Sequence, residues 1–443
     1  MQSSCCAISS KSPPDNSWEA NLCKTVRLCY NILMKFEPTN LKGTSDFEPA
    51  VQVLRNRVTD SLRKNFQAHG FMPLETTMLN HLDLLTHKYD DNAEIVREIY
   101  KLRDQGDRDL GLRFDLTVPF CKYIAMNRNL KMPFARYEIG KVWRNGPVKA
   151  GRLREFYQCD IDVVGIPGAT IEAEIMALAI KCLKDLGIDP VIKYGNRKLL
   201  TQLIAGAGVA PSDTDKVIGI IDRMEKVSRE ELIKDLTAHM AKGQALTLLE
   251  SFDNPPLINE VCDLQVALKH LGIEKHTRFT PSLARGLNYY TGTIFEGYDK
   301  SGNYKSSLCG GGRYDNIITD FISNGVNYPA IGISFGLEPI MAVLSNDEQQ
   351  PNPVNLLVVP MNTVAESYAM AEKLRAKGKT VQMWHAGKVG KALEYANATN
   401  IPYTCVIGER ELESQTITIK RMHDGAQQEF AMKDVVAMTK FLT

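Results

Sequence analysis

The sequence predicts an α+β protein in which an antiparallel sheet flanked by helices is interrupted by a helical insertion and followed by a separate α/β domain. Three observations predict this architecture. Residues 134–165 have the pattern of a long β-hairpin, residues 212–272 have that of short charged helices, and residues 353–443 alternate strand and helix patterns. The predicted sheet therefore occupies residues 36–211 and 273–345, on either side of the insertion.

The composition is that of a globular protein with two or three domains. Of its 443 residues 44% are hydrophobic and 24% charged, and the net charge is +1, so any nucleic acid must be bound by a local basic patch. The 10 cysteines show no CxxC pair and no zinc-like spacing, which is typical of reduced thiols in a cytoplasmic protein without a structural metal. No apolar run approaches the ~18 residues of a membrane span. Residues 1–35 lack the pattern of a secretory signal, and we interpret them as a dispensable extension.

Residues 41–73 predict a turn, an amphipathic helix and a short strand. Apolar residues recur at helical spacing, and these are Val51, Leu54, Val58, Leu62 and Phe66. Pro73 has no N–H to donate, which confines its strand to a sheet edge or an irregular position. A long helix leading into an edge strand is typical of a dimer element, although an ordinary surface helix explains the same pattern.

Residues 87–120 predict a second hairpin, which turns through charged residues. Its return strand would place Arg113, Asp115 and Thr117 on one face, because side chains alternate along a strand. Arginine, carboxylate and hydroxyl groups in alternation indicate a polar strand face.

The hairpin at 134–165 is the most informative stretch of the chain. Its return strand alternates polar and apolar positions, with Arg152, Arg154, Phe156, Gln158, Asp160 and Asp162 on one side and Cys159, Ile161 and Val163 on the other. Arg144 lies near the hairpin tip. The polar side predicts either a solvated face or one wall of a site.

Strand patterns resume after the insertion. Arg285, Tyr289 and Tyr290 precede a strand whose hairpin partner runs into the glycines at 310–312. Three consecutive glycines allow a ligand or backbone to approach closely, although a tight bend explains them equally well. A further strand turns through Gly336 into a helix.

These polar residues suit a site for adenylation. Arg144, Arg152 and Arg285 provide the planar forks that bind phosphate oxygens in two places at once, and Asp115 and Asp162 suit an α-ammonium group. The chain has no GxxxxGK[ST] loop and no GxGxxG after a strand, so side chains on an antiparallel sheet would grip the phosphate instead.

The order of the motifs resembles class II aminoacyl-tRNA synthetases, and specifically the histidyl-tRNA synthetase family. The matching stretches, in chain order, are LKGTSDFEP, LRFDLTVPF, the 134–165 hairpin as motif 2, ARGLNYYTG, CGGGRYD, GISFGLEPI as motif 3, and IPYTCVIGE with ITIKRMHDG in the anticodon-binding domain. The resemblance covers residues 36–443 and implies ATP-dependent ligation of L-histidine to tRNA(His) through a histidyl-adenylate by a homodimer, with Mg²⁺ bridging the ATP phosphates.

The resemblance also implies roles for individual residues. The histidine-binding residues would be Asp115, Leu116, Thr117, Gln158, Asp162, Arg285, Tyr289 and Tyr290, with the two tyrosines lining the imidazole pocket. Arg144, Arg152 and Arg285 would bind ATP, and Arg144 and Arg285 would approach its α-phosphate from two sides during catalysis. Basic residues of the last domain, Lys388, Lys391, Lys420 and Arg421, either contact the anticodon stem or are merely solvated.

Two positions depart from the family pattern. Pro339 stands where motif 3 normally ends in an arginine, and Asn288 stands where the family commonly has aspartate. These departures leave a second hypothesis, in which the chain is a synthetase paralogue that acts as a histidine-sensing or regulatory subunit.

Overall fold

An eight-stranded sheet forms the centre of the part of the chain before residue 345. The structure is a computed structural model, and it describes residues 37–87, 94–148, 151–224, 226–284, 289–344, 352–385 and 387–442. The strands before residue 345 are β1 (Met72–Pro73), β2 (Leu79–His81), β3 (Lys101–Arg103), β4 (Asp109–Leu112), β5 (Phe134–Trp143), β6 (Glu155–Val164), β7 (Pro190–Asn196), β8 (Thr277–Phe279), β9 (Thr293–Asp299), β10 (Cys309–Arg313) and β11 (Ala330–Gly336).

The large sheet is antiparallel except at its two edges. Its strand order is β1-β5-β6-β11-β10-β9-β7-β8, and only the β1–β5 and β7–β8 pairs are parallel. The predicted edge position of the Pro73 strand is confirmed. The predicted hairpins β5–β6 and β9–β10 and the predicted strand β11 are confirmed as well.

Helices cover the apolar face of this sheet. The helices before residue 345 are α1 (Pro49–Ala68), α2 (Leu82–Thr86), α3 (Glu94–Glu98), α4 (Thr117–Met126), α5 (Ala169–Asp185), α6 (Arg197–Gly206), α7 (Thr214–Ile221), α8 (Arg229–Leu236), α9 (Lys242–Ser251), α10 (Asn259–His270), α11 (Asp315–Ile322) and α12 (Leu337–Leu344). One hydrophobic cluster joins α1 and α5 to the apolar side of β6, where Cys159, Ile161 and Val163 are buried as predicted. Of the predicted apolar positions on α1, only Val51 in the first turn stays exposed, at 41%.

The helical insertion builds a small core of its own. Buried side chains of α6, α7, α8 and α9 form one hydrophobic cluster, whereas Leu264 and Leu268 of α10 belong to the cluster beneath the large sheet. The insertion is therefore anchored at both ends on helices that contact the sheet.

The predicted strand over Arg113–Thr117 is wrong. The hairpin β3–β4 exists, but its return strand ends at Leu112, and Thr117 begins α4. The Asp115 carboxylate Oδ1 accepts a hydrogen bond from the Val118 N–H at 3.1 Å, which satisfies a donor that the first helical turn leaves open. Asp115 and Thr117 consequently lie at a helix start rather than on a strand.

The C-terminal part of the chain is a separate α/β unit, as predicted. Its elements are β12 (Leu356–Pro360), α13 (Val364–Arg375), β13 (Val381–Met383), α14 (Val389–Ala398), β14 (Tyr403–Ile407), α15 (Glu409–Ser414), β15 (Thr416–Arg421), β16 (Gln427–Ala431) and α16 (Val435–Phe441). The strand order is β13-β12-β14-β15-β16. The parallel β12, β13 and β14 are the predicted strands, and the antiparallel pair β15–β16 extends them. Among the described residues, no helix is long and apolar enough to cross a membrane.

Candidate active site

A cavity opens on the polar face of the large sheet, opposite the hydrophobic cluster. Its lining residues are Ile95, Glu98, Asp115, Thr117, Arg144, Arg152, Gln158, Asp160, Asp162, Tyr289, Tyr290, Gly310, Gly311, Tyr314, Gly332, Ile333 and Ser334. The cavity thus brings together most of the predicted site residues. Leu116, whose side chain is fully buried, does not line it, and Arg285 and Asn288 lie outside the described residues.

The register of the β5–β6 hairpin explains why its polar side chains lie together on the side of the sheet that lines the cavity. Side chains directly opposite each other on paired strands share a face, and Arg136 is opposite Asp162 while Glu138 is opposite Asp160. Both aspartates are only 2% exposed, so the interpretation of this side as a solvated face is wrong. The face is one wall of a buried polar site.

Asp162 is engaged by two neighbours. Its Oδ2 lies 2.7 Å from Nη2 of the fully buried Arg136, and its Oδ1 accepts a hydrogen bond from the Tyr314 hydroxyl. Burial raises the pKa of Asp162, and the Arg136 charge and the Tyr314 hydrogen bond act against that rise. The carboxylate is therefore fixed in place before any ligand binds.

Arg136 also belongs to a second group of buried ion pairs and hydrogen bonds, which surrounds Glu138. Glu138 receives Arg113 Nη1 at 2.8 Å and Arg136 Nη1 at 3.3 Å, and the hydroxyl and N–H of Thr76 also donate to it. Arg113 is consequently a structural partner of Glu138 and does not share a face with Asp115, contrary to the prediction. Sequence reasoning missed Arg136 and Glu138, although their alternation along β5 was a usable signal.

Four buried acceptor atoms have no hydrogen-bond partner among the residues that the structure describes. These atoms are Oδ2 of Asp115, Oε1 of Gln158, Oδ1 of Asp160 and Oδ2 of Asp162, the last of which lies 2.7 Å from Arg136 Nη2 as an ion pair without hydrogen-bond geometry. Each belongs to a side chain that lines the cavity. Because an unpaired buried acceptor costs about 1–3 kcal/mol, this arrangement favours a ligand that carries several N–H donors. Burial is also the main cause that raises the pKa of Asp115 to about 6.

The two described arginines lie at the mouth of the cavity. Arg144 donates through Nε to the Phe114 carbonyl at 2.9 Å, and its guanidinium carbon lies 5.4 Å from the centre of the Phe156 ring. Arg152 is about half exposed, and its Nη2 lies 3.2 Å from Glu98 Oε1. Among the described residues each guanidinium group has one hydrogen-bond acceptor, and it keeps other N–H donors for a ligand. Two such positive groups in one cavity can bind a polyphosphate.

Glu98, the last residue of α3, connects this helix to the loop between β5 and β6. Its carbonyl accepts the Asn145 N–H at 2.7 Å, and its carboxylate fills the space beside Gly146, where an added Cβ would lie 2.2 Å from Oε1. A larger residue at that position would require the Glu98 carboxylate to move. Sequence reasoning missed Glu98, because the contact joins segments about 50 residues apart in the chain.

The aromatic part of the wall contains three tyrosines. The ring centres of Tyr289 and Tyr290 are 4.7 Å apart, and those of Tyr289 and Tyr314 are 6.1 Å apart. Tyr314 was not predicted as a site residue, although it is the penultimate residue of the CGGGRYD motif.

The glycine triplet lies within strand β10, so a tight bend is the wrong explanation for it. A Cβ on Gly311 would be 2.0 Å from the Gly332 carbonyl oxygen of the neighbouring strand. Close approach of backbone therefore requires glycine there, and the small residues also leave room for the cavity.

Pro339 lies in the first turn of α12, where proline is tolerated because the missing N–H has no partner inside the helix. The preceding residue, Glu338, is buried and pairs with Arg55 at 2.9 Å. The start of this helix is thus fixed by a buried ion pair, and Pro339 itself supplies no charge to the cavity.

Comparison with known proteins decides the family. A family model described as histidyl-tRNA synthetase matches residues 43–340, which is more than half of the chain. The chain belongs to the histidyl-tRNA synthetase family. A second model, described as an anticodon binding domain, matches residues 355–441. The family resemblance drawn from the motifs is confirmed.

Individual relatives of the histidyl-tRNA synthetase family match nearly the whole chain. Histidine–tRNA ligase 1 of Bacillus thuringiensis subsp. konkukian (strain 97-27) is 42% identical over 412 residues, which are 88% of this chain and 97% of that protein. The crystal structure of histidyl-tRNA synthetase from Nostoc sp. PCC 7120 superposes with a TM-score of 0.79 at 27% identity and covers 92% of this chain and 100% of that one.

A third comparison bears on the regulatory hypothesis. A structure from Bacillus halodurans C, described as an ATP phosphoribosyltransferase regulatory subunit/histidyl-tRNA synthetase, has a TM-score of 0.71 at 21% identity, covering 85% of this chain and 99% of that chain. At that identity the likeness concerns the fold alone. The much closer relative is named as a ligase, so the regulatory hypothesis is not favoured.

Proposed function

We propose that this protein ligates L-histidine to tRNA(His) in two steps, with ATP as the second substrate and histidyl-adenylate as the intermediate. The observation that carries the proposal is the single cavity in which unpartnered buried acceptors of Asp115 and Gln158 lie beside the arginine Arg144. Such a site can hold an ammonium group and a phosphate at once. Membership in the histidyl-tRNA synthetase family supports the choice of substrates.

The histidine α-ammonium group would be held at the start of α4 and on β6. Asp115 Oδ2, Gln158 Oε1 and the Thr117 hydroxyl provide three acceptors for its three N–H donors. Leu116 acts through its backbone, because its carbonyl accepts a hydrogen bond from Arg136 Nη2 at 2.9 Å. Tyr289 and Tyr290 would line the imidazole pocket.

Asp162 receives a modified role. The sequence interpretation placed it on the ammonium group, but its oxygens already contact Arg136 and Tyr314. We therefore assign to it the positioning of Tyr314 against the tyrosine cluster.

The first step is attack of the histidine carboxylate oxygen on the ATP α-phosphorus. A C–O–P linkage forms, the bond to the bridging oxygen breaks, and pyrophosphate leaves with that electron pair. The carboxylate is already ionised, so the step needs no general base. Arg144, with Arg285, would stabilise the charge that develops on the phosphate, and Arg152 would bind the ATP phosphates.

Mg²⁺ fits this cavity as a companion of ATP. The described residues hold no group of three or more His, Cys, Asp or Glu side chains that could cage a metal ion. Mg²⁺ usually keeps several waters and binds substrate phosphates with one or two carboxylates, so no cage is required. Glu98, which contacts Arg152, would be its protein ligand. When bound, Mg²⁺ neutralises charge on the phosphates.

In the second step a hydroxyl of the terminal ribose of the tRNA attacks the carbonyl carbon of histidyl-adenylate, an ester bond forms, and AMP leaves with the electron pair of the broken C–O bond. The C-terminal unit would bind the anticodon region, and Lys388, Lys391 and Lys420 are candidates for phosphate contacts. Arg421 already lies 3.3 Å from Asp424, which makes it a weaker candidate. Removing one phosphate-binding lysine should weaken tRNA binding and lower its salt dependence.

Assembly and organisation follow the sequence interpretation. The proposed divisions are an N-terminal extension (1–35), a catalytic domain (36–211 and 273–345) with its insertion (212–272), and an anticodon-binding domain (353–443). We also propose a cytoplasmic homodimer built on α1 and β1. Sedimentation at about twice the chain mass of 49.5 kDa would support the dimer, and a monomer would contradict it.

Histidine-dependent exchange of pyrophosphate into ATP tests the adenylation step. The expected result is exchange with histidine and ATP alone, without tRNA, and much slower exchange with the other standard amino acids. Histidine binding without any exchange would overturn the proposal and favour a histidine-sensing subunit.

Lowering the pH through about 6 is expected to raise the KM for histidine. The pKa of Asp115 is raised to about 6, chiefly by burial, so below that pH the carboxyl gains a proton and no longer attracts the ammonium group. The effect should approach about tenfold per pH unit.

The Asp115→Asn variant provides the control, because the histidine imidazole itself titrates near ~6.5. The ratio of the variant's KM to that of the unmodified protein should fall as the pH decreases from 8 to 5. A ratio that stays constant over this interval would show that Asp115 does not titrate in the binding step.

Replacing Glu98 by glutamine is expected to raise the KM for ATP at least about two- to fivefold, because a partly exposed ion pair contributes about 0–1 kcal/mol and the variant also loses the carboxylate proposed to bind Mg²⁺. The carboxylate fixes Arg152 from one side, so its loss should leave the KM for histidine unchanged. Glu155→Gln is a matched control, since Glu155 pairs with Lys141 at 2.5 Å on the same hairpin but does not line the cavity. Equal shifts in both KM values would argue against a specific role in ATP binding.

A further inference from the structure

The residue that precedes helix α11 does not cap it. The side chain of an N-cap residue, usually Ser, Thr, Asp or Asn, accepts an N–H of the first helical turn. Here the N-cap residue is Tyr314, which makes no such hydrogen bond. Its side chain instead lines the cavity, and its hydroxyl donates to Asp162. The first turn of α11 therefore needs an acceptor from another part of the chain.

Thr291 supplies this acceptor from a distant segment. Its Oγ1 accepts the N–H of Asp315, the first residue of α11, at 3.1 Å. The same hydroxyl donates to the Arg313 carbonyl at 3.3 Å, and the Thr291 N–H donates to that carbonyl at 2.8 Å. A hydroxyl has one hydrogen and two lone pairs, so it can donate and accept at the same time. Thr291 thus holds the peptide groups on both sides of Tyr314.

Thr291 also follows directly on the tyrosine pair of the cavity wall. Tyr289, Tyr290 and Tyr314 all line the cavity, and the ring centres of Tyr289 and Tyr314 are 6.1 Å apart. Thr291 itself is half-buried and is not a lining residue. One hydroxyl therefore joins the two segments that carry the aromatic wall, and it can affect a ligand only through the tyrosines.

The residues that Thr291 contacts are anchored to the rest of the fold. Arg313 is 7% exposed, and its Nε donates to Glu172 of α5 at 2.7 Å. Its Nη1 lies 3.3 Å from Asp315 Oδ1, which also accepts the Ala330 N–H of β11 at 2.9 Å. The hydroxyl consequently connects the tyrosine pair to a frame that a long helix and a central strand hold in place.

Valine at position 291 would keep the shape of threonine and lose both hydrogen bonds of the hydroxyl. The Asp315 N–H would lose its acceptor, and the segment that carries Tyr289 and Tyr290 would lose one connection to Tyr314. A pocket that has the correct arrangement for only part of the time binds its ligand more weakly in proportion to that fraction. The expected defect is therefore in binding of the amino acid.

We propose that Thr291 is a positioning residue of the amino-acid pocket, whose hydroxyl caps α11 and sets the place of Tyr314 relative to Tyr289 and Tyr290. The proposal rests on the proposed function for the identity of the amino acid, which is histidine. The proposed ATP contacts Arg144 and Arg152 belong to the β5–β6 hairpin and its loop, so they should not depend on this hydroxyl.

The test compares Thr291→Val and Thr291→Ser with the unmodified protein in histidine-dependent pyrophosphate exchange. We expect Thr291→Val to raise the KM for histidine by about 3- to 30-fold, the range for loss of a helix cap, with the KM for ATP changed by less than about twofold. Thr291→Ser keeps the hydroxyl and should restore the KM for histidine almost completely. If the methyl group of Thr291 were the important part, the two variants would show the opposite order.

Ser228→Ala is a matched control for a lost helix cap. Ser228 caps α8, which has 8 residues like α11, by accepting the Glu231 N–H at 3.2 Å, and it does not line the cavity. This variant should lower the melting temperature about as much as Thr291→Val does, with the KM for histidine unchanged. Equal rises of that KM in both variants would show that reduced stability alone explains the effect.

Calorimetric titration with histidine in the absence of ATP separates this inference from the proposed function. The Kd for histidine should rise in Thr291→Val by the same factor as the KM, and it should recover in Thr291→Ser. An unchanged Kd in Thr291→Val, or a serine variant as impaired as the valine variant, would overturn the role of the hydroxyl.

The unmodified protein shows which of the two proposals fails. Histidine binding without exchange would overturn the proposed function, and the Kd values would still decide the role of Thr291. An absence of both binding and exchange would overturn the two proposals together.

Discussion

Replacing Arg144 by alanine is expected to lower histidine-dependent pyrophosphate exchange by about 10²- to 10³-fold. Arg144 lines the cavity with its position fixed by a 2.9 Å hydrogen bond to the Phe114 carbonyl and by the Phe156 ring. A donor held in place before the reaction stabilises developing phosphate charge without reorganisation, which is why its loss affects the rate strongly. The KM for histidine should change little, because Arg144 is not among the proposed histidine contacts.

Arg128→Ala is a suitable control for this variant. Arg128 is an exposed arginine in the turn that follows α4, and it does not line the cavity. The control should keep full exchange activity. If Arg144→Ala lost less than about threefold, or if the control lost as much, the cavity would not be the adenylation site.

The largest effect on stability is expected for Arg136→Met. Arg136 is fully buried, and it lies 2.7 Å from Asp162 and 3.3 Å from Glu138. Removing one partner from a buried ion network leaves the remaining charges uncompensated, which costs about 3–5 kcal/mol. Chemical denaturation should show this as a lower free energy of unfolding, and activity should fall because Asp162 and Tyr314 lose their fixed positions.

A paired comparison separates this effect from a general loss of charge. Lys181→Met removes an exposed pair with Asp185 and should change the free energy of unfolding by only about 0–1 kcal/mol. The double variant Arg136→Met/Asp162→Asn should recover part of the lost stability, since it removes one uncompensated charge. A loss below about 1 kcal/mol in Arg136→Met would contradict the account of the cavity floor.

Much of the fold was predictable because strong local patterns and short connections determine it. The β5–β6 hairpin follows from strict alternation, with Cys159 and Ile161 packed beneath the sheet and Gln158 and Asp160 in the cavity. The C-terminal unit follows from regular alternation of strand and helix. The family motifs then located most cavity residues at their places in the chain.

Other features depend on contacts that no local pattern shows. The interpretation of Asp115 as a strand residue was wrong because its side chain accepts the Val118 N–H and ends the extended segment. Arg136 was overlooked because its importance comes from the strand register that places it opposite Asp162. The engagement of Asp162 likewise depends on Tyr314 from a distant segment.

Charging of tRNA is the most direct test of the central claim, since it requires both the cavity and the C-terminal unit. The purified protein is incubated with ATP, Mg²⁺, labelled amino acid and tRNA(His) transcript. We expect stable attachment of histidine to tRNA(His), much less attachment to a tRNA with a different anticodon and acceptor end, and attachment that is slower by about 10²- to 10³-fold in Arg144→Ala. Exchange activity without transfer of histidine to any tRNA would contradict the claim that this chain is a complete ligase.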